Sequence, residues 1–472
     1  MESAENTGGE GLKPFTRYRA GVRGVLRRRL GPRIPYLSRL PLTDRITFFR
    51  ELASSSLYGV YSGIAIPLIP IMARKVGMTP EAITAMVTTQ FIGALSGVWM
   101  GHLAERRRKM PFVMWPNIGA RVAVAALAFV RQPTPFLVVA SVFYFLPNLT
   151  GPAYSSIMRT NYSAANRGRL MGNIRILIMI VSGTVSAAAG LLLAGNEDLL
   201  RWLLLTAGVF GILSSLVFAT IKVRNDSPAL APAPLRIPPR GRRKESPLRV
   251  LAANRALFVF LGVLVLCATP DKLSVPLEPL WMVDVLHIDY AEASLVLGTV
   301  VYAASIAGYY LWARLLKRMN SFTLLALVVF VFAGRYVALA LARGGAGLIP
   351  MSILSGLSNA GWDLVPLFCL LDLSDARSFT LAVGMHYTLF GIRGTIGPTL
   401  GTLLYSSGVP LATLFLGIAA VIAVGGFLML WFGRRWGRPP GQSPGQSAGR
   451  SPGRSPGPSA GQPASSSAWV SS

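Results

Sequence analysis

The sequence predicts an all-α polytopic membrane protein whose 12 transmembrane helices form two six-helix bundles. Three observations carry that prediction. Twelve apolar stretches are each long enough to cross a bilayer, their basic residues fall on alternate connections, and the longest internal connection separates six stretches from six. A helix needs about 20 apolar residues to cross the roughly 30 Å hydrocarbon core. The composition agrees, at 52% hydrophobic and 14% charged. In lipid the backbone must satisfy its own hydrogen bonds, so each stretch reads as a helix. The alternating rhythm of a membrane β-barrel is absent.

In chain order the expected spans are 46–73, 81–104, 111–130, 135–158, 169–195 and 199–222, then 256–283, 291–316, 322–342, 347–371, 378–405 and 410–433. Span one is broken by Pro67 and Pro70, span four by Pro147 and Pro152, and span seven by Pro270, Pro276 and Pro279. Span ten carries a polar run of Ser355, Ser358, Asn359, Trp362 and Asp363. The implied domains are a basic tail (1–45), a first bundle (46–222), a linker (223–255), a second bundle (256–433) and a Pro/Gly/Ser-rich tail (434–472).

The net charge of +27 raises the possibility of a nucleic-acid partner, but its distribution argues against one. Of the 46 Lys and Arg residues, 35 lie in the two tails, in the loops after spans two, four, six, eight and ten, and at the span ends that adjoin those loops (Arg169, Lys222 and Arg314). The opposite loops and the span end that adjoins them hold 5: Arg74, Lys75, Arg131, Arg201 and Arg343. That asymmetry is the positive-inside pattern, and it places both termini in the cytoplasm and the protein in the cell (cytoplasmic/inner) membrane. No basic soluble domain of folding size remains. Residues 1–45 lack an apolar run long enough for a signal peptide, so the first span is expected to act as a retained signal anchor.

Cys267 and Cys369 both fall mid-span and read as small buried hydrophobes. The 3 histidines lack ligand spacing, no phosphate-cradling glycine loop with its lysine occurs, and neither a metal nor a cofactor is expected. The linker, NDSPALAPAPLRIPPRGRRKESP, reads as flexible. The C-terminal tail repeats units such as PGQS and PGRS and has no apolar surface to bury. In the N-terminal tail Phe15, Tyr18, Val22, Leu26 and Leu30 recur near helical spacing among Arg19, Arg23 and Arg27. This fits either an amphipathic helix on an anionic leaflet or, given Gly21 and Gly24, a disordered basic tail.

The halves echo each other. GARVAVAAL at 119–127 and AGRYVALAL at 333–341 put Arg121 and Arg335 at matching depth in the third helix of each half. Asn173-Ile174-Arg175 in span five is matched by Gly391-Ile392-Arg393 in span eleven, and Lys109-Met110 by Arg318-Met319. Together these favour duplication of a six-helix unit, a trait of secondary transporters.

The loop after span two, GHLAERRRKM at 101–110, resembles the signature of the major facilitator superfamily. Gly101, Leu103, Ala104, Arg106 and Lys109 fit it, Glu105 replaces the usual Asp, and Arg108 stands where a second Gly is expected. The resemblance implies two six-helix bundles around a central cavity lined by helices one, four, seven and ten. It also implies that Glu105 pairs with basic groups at a cytoplasmic gate, with Arg159 and Arg169 as candidates.

Those same four spans carry polar stripes at helical spacing: Ser55, Tyr58 and Ser62; Tyr144, Asn148, Gly151 and Ser155; Asp271, Ser274 and Glu278; and Ser355, Asn359 and Trp362. Such a stripe faces protein or water rather than lipid. A single Ser is explained by interhelical hydrogen bonding alone, whereas four stripes together point to a wet cavity. Mid-span charges are Arg121, Lys272, Arg335 and Arg393 against Asp271, Glu278 and Asp363. At about 2.5 kcal/mol each, the lower end of insertion scales, seven unpaired charges would cost about 18 kcal/mol, so they must pair, meet water or titrate. Asp271 and Lys272 lie about 100° apart on a helix and are expected to have different partners. Asp271, Glu278 and Asp363 are the candidate proton carriers, and the stripes with Arg121, Arg335 and Arg393 are the candidate cavity. Arg50 and Glu51 are expected to snorkel to the interface.

The expected function is secondary active transport of a small solute by alternating access, coupled to protons, and not enzymatic catalysis. A multipass enzyme on lipid-linked substrates would need an interfacial acid–base or metal cluster, yet His102, His287 and His386 are dispersed. A transporter-like sensor is a further alternative, disfavoured by the intact stripes.

Overall fold

The computed structural model of the chain describes residues 40–105, 107–224, 254–374 and 379–436, all helix and connection without a strand. The N-terminal amphipathic segment, most of the linker and the C-terminal repeats lie outside the described residues. The first six crossings are α1 (Leu42–Lys75), α2 (Pro80–Glu105), α3 (Met110–Leu127), α4 (Pro133–Phe145 continuing into Gly151–Asn161), α5 (Ala164–Gly195) and α6 (Leu199–Ala219). The second six begin with α7, built from Arg255–Ala268, Pro270–Ser274, Leu277–Leu280 and a π turn at Trp281–Val285. They continue with α8 (Tyr290–Ala293, a π turn at Ser294–Val300, then Val301–Leu315), α9 (Ser321–Leu341), α10 (Ile349–Leu373), α11 (Phe379–Ser406) and α12 (Leu411–Trp436). Ten described helices are long and apolar enough to cross a membrane. With α2 and α11, of 26 and 28 residues, the crossings number 12.

The prolines shape the crossings they interrupt. Pro147 falls in a 3-10 turn, Leu146–Leu149, that splits α4. Pro270 follows the end of the first segment of α7, where its missing N–H and ring exclude a continuous helix. Pro67 and Pro70, by contrast, are accommodated inside a continuous α1. On the side opposite the termini, the turns after α1 and α11 depend on Gly77 and Gly408, at φ 91° and 90°, where a side chain would be strained.

Within the first half α1 packs on α5 and α6, and α3 on α6; within the second, α9 packs on α12 and α10, and α8 on α10. The halves meet where α2 lies along α11 and α5 along α8. Small residues permit the approach: a Cβ on Gly190 of α5 would stand 3.1 Å from the Ala291 carbonyl oxygen of α8.

Candidate functional site

The broken α7 organises a charge cluster in the second half. Arg335 of α9 donates from one amino group to Glu278 Oε2 at 2.6 Å and from the other to the Tyr336 hydroxyl at 2.7 Å, while its Nε donates to Ser355 Oγ at 2.7 Å. Tyr336 donates to Asp271 Oδ1 at 2.6 Å, and Ser274 donates to Glu278 Oε1 at 2.9 Å. Arg335 also lies 3.7 Å from Asp271. Lys272 pairs with Asp271 itself, contrary to the expectation that these neighbours have separate partners. The reason is local: both open the short segment Pro270–Ser274, so no long helix holds their side chains apart, and the lysine arm folds back. Two cations thus offset two carboxylates. Ser274 and Ser355 are buried within this network rather than lining a cavity.

Beside the network is a cavity of about 410 Å³ reached by Asp271, Lys272, Asn359, Trp362, Asp363 and Arg393, with His386 in its wall. Arg393 is only 8% exposed, makes no ion pair among the described residues, and keeps a buried Nε without a hydrogen-bond partner. The indole Nε1 of Trp362 is likewise buried and unpartnered.

The first half has a counterpart of about 460 Å³, bordered by Glu51, Ser55, Tyr58, Asn117, Arg121 and Arg175. Tyr58 and Arg121 also border a smaller space of about 250 Å³ with Tyr144 and Asn148. Arg121, 5% exposed, donates to Asn117 Oδ1 at 2.7 Å and lies 4.6 Å from the Tyr61 ring centroid. Its Nε is buried without a partner, and no carboxylate pairs with it among the described residues. Ser62 is fully packed and bonds Ser182 of α5 at 2.6 Å, and Ser155 is exposed and borders neither large cavity, so these two stripe positions do not join the rest. Glu51 does not snorkel. It is 2% exposed and accepts hydrogen bonds from Tyr154 at 2.6 Å and Tyr162 at 2.5 Å. Because α1 begins at Leu42, Glu51 sits over two turns inside the helix, where the second piece of α4 covers it.

One ion pair joins the two cavities: Arg175 of α5 reaches Asp363 of α10 at 2.5 Å, and Tyr309 of α8 donates to the same carboxylate at 2.6 Å. Three other polar contacts between halves lie toward the opposite side, where α1 ends and α12 begins. Arg74 binds both Asp284 oxygens at 2.8 Å, Thr84 bonds Thr402, and Ser186 and Ser294 each donate to the other's backbone carbonyl, at 2.7 and 2.8 Å. The side chains of Gly101, Ala104, Glu105 and Arg106 lie outside the described residues, as does the expected gate pairing; Leu103 is exposed and Lys109 flanks α3.

Sequence reasoning placed Glu51 at the interface, passed over Tyr154, Tyr162, Tyr309 and Tyr336, and placed Arg175 outside the deep set. Asn117 and Tyr336 carried a usable signal, lying four residues before Arg121 and directly after Arg335. The tyrosines that meet Glu51 and Asp363 come from other helices, and nothing local marks them.

No curated protein matches the chain in sequence. Among solved structures, a point mutant of the nucleoside transporter NupG aligns with a TM-score of 0.65 at 13% identity, covering 82% of this chain and 99% of that one. A bacterial homolog of the human lysosomal transporter Spinster, inward-facing and unoccupied, aligns with a TM-score of 0.58 at 12% identity, covering 84% and 98%. At such identities the likeness is one of fold. Residues 52–361 match the Major Facilitator Superfamily. The chain is therefore a multi-pass membrane protein that belongs to the Major Facilitator Superfamily of transporters.

Proposed function

We propose that the protein is a secondary active transporter that moves a small solute across the cytoplasmic membrane by alternating access, with both termini cytoplasmic and transport coupled to protons. The observation that carries this reading is a division between the two membrane halves. The two cavities that hold the buried charges lie toward the side where α1 begins and α12 ends, whereas the α1–α7, α2–α11 and α5–α8 side-chain contacts close the opposite side. A cavity open toward one side and sealed toward the other is the arrangement that rocking of the halves would invert. The proposed coupling carboxylates are Asp271, Glu278 and Asp363. Each is held by a cation or tyrosine from another helix, so helix movement changes what stabilises its charge.

Proteoliposomes screened with a broad solute panel, with and without an imposed pH gradient, test the reading. Uptake that concentrates a solute only under the gradient is expected, and Asp271→Asn should abolish that while counterflow exchange survives. A variant that expresses normally and still concentrates solute removes Asp271 from the coupling role, leaving Glu278 and then Asp363.

A further inference from the structure

Among the described residues, three buried hydrogen-bond donors in the two cavities have no acceptor: Arg121 Nε in the first half, and Arg393 Nε and Trp362 Nε1 in the second. The carboxylates around them are already engaged. Glu51 is held by two tyrosines, Asp363 by Arg175 and Tyr309, and Asp271 by Lys272, Tyr336 and Arg335. Buried guanidinium groups stay charged and are normally paired, so these two arginines, which meet no carboxylate among the described residues, are sites built for an anion.

We infer that the transported solute is an organic anion, with Arg121 and Arg393 as the cations that bind its carboxylate or phosphate. This rests on the transport reading above and names the class of substrate for the same cavities. Volumes of about 460 and 410 Å³ are far larger than an inorganic ion requires. The walls are aromatic around each cation: Tyr58 and Tyr61 lie under Arg121, and Phe390 beside Arg393 at 5.6 Å. An anionic group on an apolar or aromatic body matches both features. The Arg175–Asp363 pair stands where the two cavities meet, so a solute that bridged them would compete for these charges and loosen the contact between halves.

The test is thermal stabilisation of the purified full chain in detergent by carboxylates and phosphate esters. Benzoate, succinate and adenosine monophosphate are run beside benzamide, succinamide and adenosine, with chloride and inorganic phosphate as further arms. An anion should stabilise where its neutral counterpart does not, and Arg121→Gln and Arg393→Gln should each raise its Kd by roughly tenfold to a hundredfold, with Lys in place of Arg recovering part of the loss. Because a cation without a carboxylate partner among the described residues is removed, both Gln variants should fold with an unchanged or higher ligand-free Tm. Equal stabilisation by neutral counterparts, stabilisation by inorganic ions alone, no response to any anion, or anion affinity unchanged in both variants would each overturn the inference. An anion that binds but is not moved in proteoliposomes sinks the transport reading instead and leaves the binding site intact.

Discussion

Arg121 and Arg335 occupy corresponding positions in the third helix of each half, and their surroundings could hardly differ more. Arg335 meets two carboxylates, a tyrosine and a serine, which leave its guanidinium saturated. Arg121 has one asparagine, tyrosine faces and, among the described residues, no carboxylate. The duplicated scaffold thus holds the same cation twice and puts it to two uses. In one half it cements α7 to α9 and α10; in the other it remains available. Depth in the membrane sets the cost of a charge, but neighbouring helices decide whether that cost is met inside the protein.

The largest expected effect comes from breaking the saturated member. Arg335→Gln strands Glu278 and takes one of two cations from Asp271, and should lower stability by about 3–5 kcal/mol, seen as poor expression and a lower Tm. Arg121→Gln should leave both intact, and an equal fall in Tm for the two variants would erase the contrast. A smaller effect tests whether the network acts as a unit. Adding Glu278→Gln to Arg335→Gln should recover part of the lost Tm, since one stranded carboxylate is removed; purely additive losses would mean that the two residues are not coupled.

Smaller still in stability is the pair between halves. Arg175 and Asp363 are half-exposed, with side chains 53% and 37% accessible, so Asp363→Asn should cost at most about 1 kcal/mol. Its effect should fall on access instead, with a cysteine at Ser55 labelling faster from the side of the termini. An unchanged labelling rate would make the pair incidental. Last, orientation itself is testable by labelling at the connections. Cysteines at Asn196 and Asp289 should react with an impermeant thiol reagent in intact cells and one at Ser246 should not; the reverse pattern inverts the topology.

How far these features were legible depends on the distance over which the information is written. The crossings were readable because hydropathy is local: span 46–73 became Leu42–Lys75, and 410–433 became Leu411–Trp436. The matched depths of Arg121 and Arg335 were readable for the same reason. Their difference was not, because it depends on which way α7 and α9 are rotated and on a break after Ala268 that lets Lys272 fold onto Asp271. Glu51 was misplaced because the start of α1 was set four residues too late and because its partners come from α4. Polar stripes did not separate Ser55, which borders a cavity, from Ser62, which is engaged by Ser182.

The paired serines between α5 and α8 have a consequence for reversibility. Ser186 and Ser294 each donate to the other's backbone carbonyl, across a junction where Gly298 leaves room for the Ser186 side chain. A helical serine has a second acceptor always within reach, the carbonyl one turn earlier on its own helix. If the two helices part, each hydroxyl can turn back onto its own chain, so the number of hydrogen bonds is conserved and no polar group is abandoned in lipid. Such a seam depends neither on salt nor on a titrating group, and it can unzip and rezip with little enthalpic penalty. A methyl group in place of either hydroxyl would remove the partner without removing the fit, whereas a side chain added at Gly298 would act as a wedge.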